Sequence, residues 1–210
     1  MKPINILLLE DEALLREGLK SLLAQESFIK NVFEAGTASE FETVMASHTV
    51  DLVLLDIRLQ KCSGLEILKA ARQKDSGLKV IAVTGLEGVE LIINLLKAGV
   101  QGVVYKLDGY SEILKSISSV LVSDSYFPER IVRIIQTNAH RWDSVPPVLL
   151  NSLEREIVTA LAQGKTTKEL AVQLKMSEST TETYRVRLIK KLGVANTAAL
   201  LAYAYRNGIL

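Results

Sequence analysis

The first 120 residues alternate between two hydrophobic rhythms. Ile4 to Leu9 (INILLL) is an apolar run broken only at Asn5, the pattern of a strand buried on both faces. Leu14, Leu15, Gly18, Leu19, Leu22 and Leu23 then recur at helical spacing, with Arg16, Glu17, Lys20 and Ser21 between them. The alternation continues with a strand at Asn31–Ala35, a helix at Ser39–Ser47, and a strand at Val50–Ile57 (VDLVLLDI). A Ser63-Gly64 turn and a helix to Arg72 follow, then the strand Lys79–Thr84 and a helix over Val89–Ala98. A strand at Gly102–Lys106 and a helix from Ser111 to about Val122 complete the series. Five strand–helix units predict a doubly wound α/β domain with a parallel sheet, because parallel strands need crossover helices.

Residues 123–149 break the rhythm. Tyr126-Phe127-Pro128 reads as a helix start, with Ile131, Val132, Ile134 and Ile135 at helical spacing up to Thr137. Trp142 and Pro146-Pro147 read as a non-helical connector. From Leu150 the signals are helical only: Leu153–Gln163, Thr167–Leu174, Ser177–Leu192 and Thr197–Asn207. Gly164 and Gly193 stand at C-cap positions, and Gly208 follows the last helix. The expected organisation is an α/β domain over 1–122, a linker with a helix over 123–149, and a small all-α domain over 150–210.

Composition narrows the classes. The chain is 48% hydrophobic and 23% charged, the balance of an ordinary globular protein. No apolar run approaches the eighteen or so residues of a membrane span, and the N-terminus lacks the features of a signal peptide, so a cytoplasmic protein is expected. A single cysteine, Cys62, excludes an internal disulfide and a thiolate zinc site, and is most simply a loop residue. His48 and His140 are far apart, which argues against a histidine metal cluster or a Ser-His-Asp triad. Net charge is +1 but uneven: residues 1–122 hold 13 Lys+Arg against 16 Asp+Glu, and residues 148–210 hold 9 against 5. The basic back half hints at a different partner from the front, though a surplus of four is weak evidence for nucleic acid by itself.

Ligands of open α/β sheets bind outside the carboxyl ends of the strands. There this sequence places Glu10 and Asp11 after the first strand, Asp56 at the end of the third, Thr84 after the fourth and Lys106 at the end of the fifth. Each alone is an ordinary polar strand end; five together form a constellation. Three converging carboxylates repel unless a cation joins them, and Mg2+ favours carboxylates, waters and a phosphate oxygen. An Asp on a strand end can act as a nucleophile that forms an acyl phosphate. Thr84 and Lys106 would then hydrogen-bond and neutralise phosphoryl oxygens.

In the all-α part, Thr167–Leu174 and Ser177–Leu192 are joined by a short Lys175-Met176 turn. Thr181, Tyr184, Leu188 and Leu192 should face the core at roughly 100° per residue. The opposite face carries Ser179, Glu182, Thr183, Val186, Arg187 and Lys190. Such a face can enter a major groove, with Ser, Thr and Arg near base edges and Lys190 on phosphate. Spacing alone equally allows a solvated helix in a packing domain. Glu182 would repel phosphates but could accept from cytosine. Arg185 falls near the buried stripe, where a salt bridge to Glu154 or Glu156 competes with a phosphate contact. Small residues Ala198, Ala199, Ala202 and Ala204 suit close helix packing, within the domain or across a dimer.

The segments LLLEDEALLREGL, LVLLDIRLQKCSG, VTG and GVVYK resemble those of response-regulator receiver domains. The resemblance covers the first 122 residues and implies a flavodoxin-like sheet of order 2-1-3-4-5. It implies that Asp56 takes phosphate from a histidine kinase, that Glu10, Asp11, Asp56 and the backbone carbonyl of Arg58 bind Mg2+, and that Thr84 and Lys106 sense the phosphoryl group. After residue 150, NSLEREIVTALAQGKTTKELAVQLKMSESTTETYRVRLIKKLGV resembles the LuxR/NarL-type helix-turn-helix. That implies double-stranded DNA as partner, contacted by Lys168, Ser179, Glu182, Thr183, Val186, Arg187 and Lys190, and a homodimer when active through the last helix. The reading is a non-enzymatic transcription regulator gated by aspartyl phosphorylation. Three positions depart from the receiver pattern: Gln60 where proline is common, Val103 where an aromatic switch residue is common, and Leu107 where proline follows the lysine. Thr181 likewise replaces a usual buried valine. Two rivals remain: a regulator that works by protein contacts regardless of phosphate, and a Mg2+-dependent phosphatase, which would need an Asp where Arg58 stands.

Overall fold

The computed structural model describes residues 3–59, 63–75, 77–85, 88–123, 125–142, 150–207 and 209–210. Gln60, Cys62, Pro146, Pro147 and Gly208 lie outside the described residues. Five strands, β1 (Ile4–Leu9), β2 (Ile29–Ala35), β3 (Leu52–Asp56), β4 (Lys79–Thr84) and β5 (Gly102–Tyr105), form one sheet in the order β2-β1-β3-β4-β5. The pairings β1–β2, β1–β3 and β3–β4 are parallel. The helices of this part are α1 (Ala13–Leu23), α2 (Ala38–Ser47), α3 (Gly64–Lys74), α4 (Val89–Lys97) and α5 (Tyr110–Ser123). The doubly wound α/β architecture with sheet order 2-1-3-4-5 is therefore present. Ile6–Leu9 and Leu52–Leu55 are buried throughout, as their continuous apolar runs require. The stripe expected on α1 is narrower: Leu19 and Leu23 are buried, whereas Leu14 and Leu22 point out. Strand β5 stops one residue early, because Lys106–Asp108 begins a 3-10 turn in which Asp108 Oδ2 accepts from the Tyr105 backbone N–H at 3.2 Å.

The remaining helices are α6 (Glu129–Thr137), α7 (Ser152–Ala162), α8 (Thr167–Leu174), α9 (Glu178–Leu192) and α10 (Thr197–Arg206), with a 3-10 turn at Ala139–Arg141. Pro128 is the N-cap of α6, where its missing N–H costs nothing. Helices α7 and α8 each start with a reciprocal cap, Asn151 with Glu154 and Thr166 with Glu169. Lys175 (φ 54°) ends α8 in the left-handed region and Gly193 (φ 63°) ends α9 there, which turns the chain sharply on both sides of α9.

By contact density the chain divides into two compact units, residues 1–87 with 104–114, and residues 88–103 with 115–210. The first holds β1 to β4 and the polar edge described below. In the second, α10 packs against α6, α7, α9, α4 and the Ala139–Arg141 turn. Trp142 is tied in by Arg206, whose Nη1 donates to the Trp142 carbonyl at 2.9 Å, and by Lys97, whose ammonium lies 5.8 Å from the ring centroid. None of the ten residues of α10 is exposed. The small residues Ala198, Ala202 and Ala204 let α6 and the following turn approach closely. No helix among the described residues is long and apolar enough to cross a membrane.

Candidate functional sites

Sheet register builds the first site. Leu9 pairs with Leu55 and Asp56 with Val83, so Glu10, Asp56 and Thr84 come to the same edge of the sheet. Glu10 and Asp56 are almost fully buried, at 1% and 2% exposure. Carboxylate oxygens of Glu10, Asp11 and Asp56 all lie within 4.8 Å of one another, a donor set that suits a hard divalent cation. Lys106 reaches into the group: its Nζ is 2.8 Å from Glu10 Oε2, 2.9 Å from Asp56 Oδ2 and 3.7 Å from Glu12 Oε1. The backbone N–H of Arg58 donates to Asp56 Oδ1 at 3.0 Å, and that of Glu12 donates to Glu10 Oε1 at 3.2 Å. Thr84 is fully buried at the same edge.

The charges tune one another. Burial pushes the Glu10 carboxyl above its ordinary value, the hydrogen bond from Lys106 pulls it back, and the nearby Asp56 charge raises it again. Partial burial lowers Lys106, but its hydrogen bonds to Glu10 and Asp56 outweigh that and hold the ammonium above its ordinary range. Gly64 explains how the edge stays tight: a Cβ there would sit 2.3 Å from the Asp56 carbonyl oxygen and 2.8 Å from the Ile57 Cα. The start of α3 therefore presses directly on the strand end that carries Asp56, which only glycine permits.

The second site lies on α8 and α9, which pack as a helix pair. Ser177 caps α9 by accepting from the Thr180 N–H at 3.0 Å. Thr181 is fully buried and its hydroxyl donates to the Ser177 carbonyl at 3.0 Å, which supplies the partner its position demands. The buried stripe of α9 is Thr181, Arg185, Leu188 and Leu192; Tyr184, expected in that stripe, is only half-buried. Arg185 takes its place because its guanidinium is neutralised locally. Nε donates to Glu182 Oε2 at 3.0 Å and Nη2 to Glu182 Oε1, while Nη1 donates to Thr197 Oγ1. Arg185 forks onto Glu182 on its own helix, while Glu154 binds Lys191 and Glu156 accepts from Gln173. Ser179, Thr183, Val186, Arg187 and Lys190 are exposed, as is Lys168 on α8, and Glu182 is partly covered. Sequence reasoning missed this fork, whose only signal was an acid three residues before the arginine. Ser179, Glu182, Thr183, Val186 and Arg187 line a cleft of about 580 Å³ together with Val122 of α5.

A buried aspartate, flanking acids and an invading lysine at the carboxyl edge of a parallel sheet define an α/β module with an acidic, cation-suited site, in a chain that also carries a helix pair of the helix-turn-helix kind. Residues 6–118 match the response regulator receiver domain and residues 149–204 the luxR family of bacterial regulatory proteins. The chain belongs to the response regulator receiver family, with a LuxR-type C-terminal domain, and is a DNA-binding transcriptional response regulator. It is similar to a putative transcriptional regulator of Pseudomonas aeruginosa, 29% identical over 206 residues that cover 98% of this chain and 99% of the relative. It is similar also to the response regulator UvrY of Escherichia coli, 27% identical over 209 residues covering 98% and 95%. Among solved structures, the RcsB response regulator of Salmonella typhimurium shares the fold, with a TM-score of 0.60 at 20% identity over 97% of this chain and 98% of that one.

Proposed function

We propose that Asp56 accepts a phosphoryl group from a phosphohistidine of a partner kinase and that this controls binding of α9 to double-stranded DNA. An Asp56 carboxylate oxygen forms the new O–P bond as the N–P bond of the donor breaks, and the imidazole leaves with the electron pair. The observation that carries the reading is the buried Asp56 clasped by Lys106 at 2.9 Å, with two further carboxylates beside it. Glu10, Asp11, Asp56 and the carbonyl of Arg58 would hold Mg2+, which would neutralise charge on the phosphoryl oxygens. Lys106 would then exchange Asp56 for a phosphoryl oxygen, and the Thr84 hydroxyl would donate to another. Arg58 stands where a hydrolytic enzyme of this kind would need its second aspartate, so the protein acts as an acceptor and not as a turnover catalyst.

The receiver would extend to about residue 122, with a linker over 123–149 and the DNA-binding domain over 150–210. Ser179, Glu182, Thr183, Val186 and Arg187 would face base edges, with Lys168 and Lys190 on phosphates. Two copies bound to paired half-sites would gain effective concentration, so a homodimer is the active species. Phosphotransfer from a partner kinase and binding to DNA would both occur in the cytoplasm. A second reading, output independent of phosphate, is favoured by Val103, which is fully buried and offers no aromatic ring to rotate.

The test is intact mass after incubation with a small acyl-phosphate donor and Mg2+, alongside Asp56→Asn. One phosphoryl group is expected on the wild type and none on the variant; an adduct that persists in the variant would assign the acceptor elsewhere. DNA binding measured with and without the donor then separates the two readings.

A further inference from the structure

Glu182 is an anomaly on a surface meant to approach phosphates, and Arg185 is an anomaly inside a helix pair. Each explains the other. Arg185 is 3% exposed, and its fork holds both carboxylate oxygens of Glu182 one turn earlier on the same helix. Its other arm is fixed from outside α9: Nη1 donates to Thr197 Oγ1 at the start of α10 and lies 3.4 Å from Ser125 Oγ, and those two hydroxyls are 3.1 Å apart. The guanidinium is therefore held by two other segments before it meets Glu182, and a planar fork leaves the carboxylate little rotational freedom.

Building on the proposed docking of α9 in the major groove, we infer that Arg185 is a positioning residue that presents Glu182 as a fixed acceptor reading a cytosine in each half-site. A carboxylate has about four lone-pair sites, and a bidentate arginine uses two, which leaves two for a donor on the DNA side. Pairing with Arg185 also offsets the charge that phosphates would repel. An acceptor-only group suits the cytosine N4 amine. It suits adenine less, because the N7 acceptor beside the adenine N6 amine faces the carboxylate with like polarity. Ser179, Thr183 and Val186, on the same exposed face, would read the neighbouring pairs.

The test uses the full chain treated with an acyl-phosphate donor. A duplex is selected from a randomised library, and competition binding is then measured against every single-base-pair variant of the selected site. Wild type should prefer C·G at one position of each half-site by about tenfold over the alternatives. Glu182→Gln, which keeps the shape but adds a donor, should lose that preference at that position only, or move it towards A·T. Arg185→Met should flatten the same position while leaving discrimination elsewhere intact, although Arg185 does not touch the base. Arg185→Lys should restore it only in part, because an ammonium lacks the fork. A purely structural Arg185 would instead weaken all sequences equally and leave the ratios unchanged, which overturns the inference. Circular dichroism confirms that each variant is folded. A consensus whose every position ignores Glu182→Gln overturns the inference and leaves α9 as the reading helix; no consensus at all, from folded wild type, overturns the docking on which it rests.

Discussion

Replacing Lys106 with methionine removes an ammonium that lies within 3 Å of both Glu10 and Asp56 while keeping most of the side-chain volume. At an effective dielectric of 20, a contact near 2.9 Å carries about 6 kcal/mol of gross attraction, so two buried carboxylates left without it cannot both stay charged cheaply. The molecule has an escape, which is to protonate Glu10, already held above its ordinary value by burial. With an unfolded value near 4.5, protonating one carboxyl at pH 7 costs about 3.4 kcal/mol, and that sets a ceiling on the loss. The expected destabilisation is therefore about 3 kcal/mol at pH 7, within the range for breaking a buried pair from one side.

The sign with pH follows. In the variant the folded state holds a proton that the unfolded state releases above pH 4.5, so relative stability falls as pH rises through that region. The gap to wild type should shrink to under about 1 kcal/mol at pH 5. In wild type the Lys106 contribution is complete below 10.5 and fades as pH rises through the higher folded value. Urea unfolding followed by circular dichroism, with a chelator present, measures the gap at each pH. Addition of Mg2+ should stabilise the variant more than the wild type, because the ion no longer competes with an ammonium. A gap that is constant from pH 5 to 7.5, or insensitive to Mg2+ in both proteins, would refute the reasoning.

Gly64→Ala should cost about 1–3 kcal/mol by overpacking against the β3 backbone and should slow formation of the phosphoryl adduct, seen by intact mass, because the clash falls on the Asp56 carbonyl. Leu14 and Leu107 are each 87% exposed and lie near Asp11 and Lys106 in sequence, so Leu14→Asp or Leu107→Glu should slow transfer from a kinase while leaving the reaction with a small acyl-phosphate donor unchanged. Glu169→Ala removes the cap bonds to the Thr166 N–H (2.7 Å) and hydroxyl (2.9 Å) and should cost about 0.5–1 kcal/mol of thermal stability. The Thr166 N–H bond is the main reason Glu169 lies below its ordinary value. Its contribution is thus present above pH 4.5 and lost as pH falls through the lower folded value, so the wild-type advantage should vanish in acid.

The sheet and its polar edge were legible because both follow from one-dimensional rules. Short apolar runs such as INILLL, alternating with segments of helical spacing, read as buried strands, and strand ends in a parallel sheet share an edge, so Glu10, Asp56 and Thr84 converge once the strands are placed. Strand β2 was legible only from Asn31, because an edge strand alternates weakly and its first residues, Ile29 and Lys30, resemble the preceding turn. Helical spacing put Tyr184 and Arg185 close to the same stripe. Which one is buried depended on Glu182 and Thr197 neutralising and gripping the guanidinium, a three-body contact that no periodicity encodes. Small residues told that α10 packs closely but not against what, since alanine carries no signature of its partner.

That last helix imposes an order of events. With no exposed residue on α10, a second copy that packs along it must first displace one of its neighbours, α6, α7, α9, α4 or the turn that follows α6. Any association through α10 therefore passes through a unimolecular opening step. Its observed rate should rise with protein concentration at first and then reach a plateau set by that opening, however abundant the partner becomes.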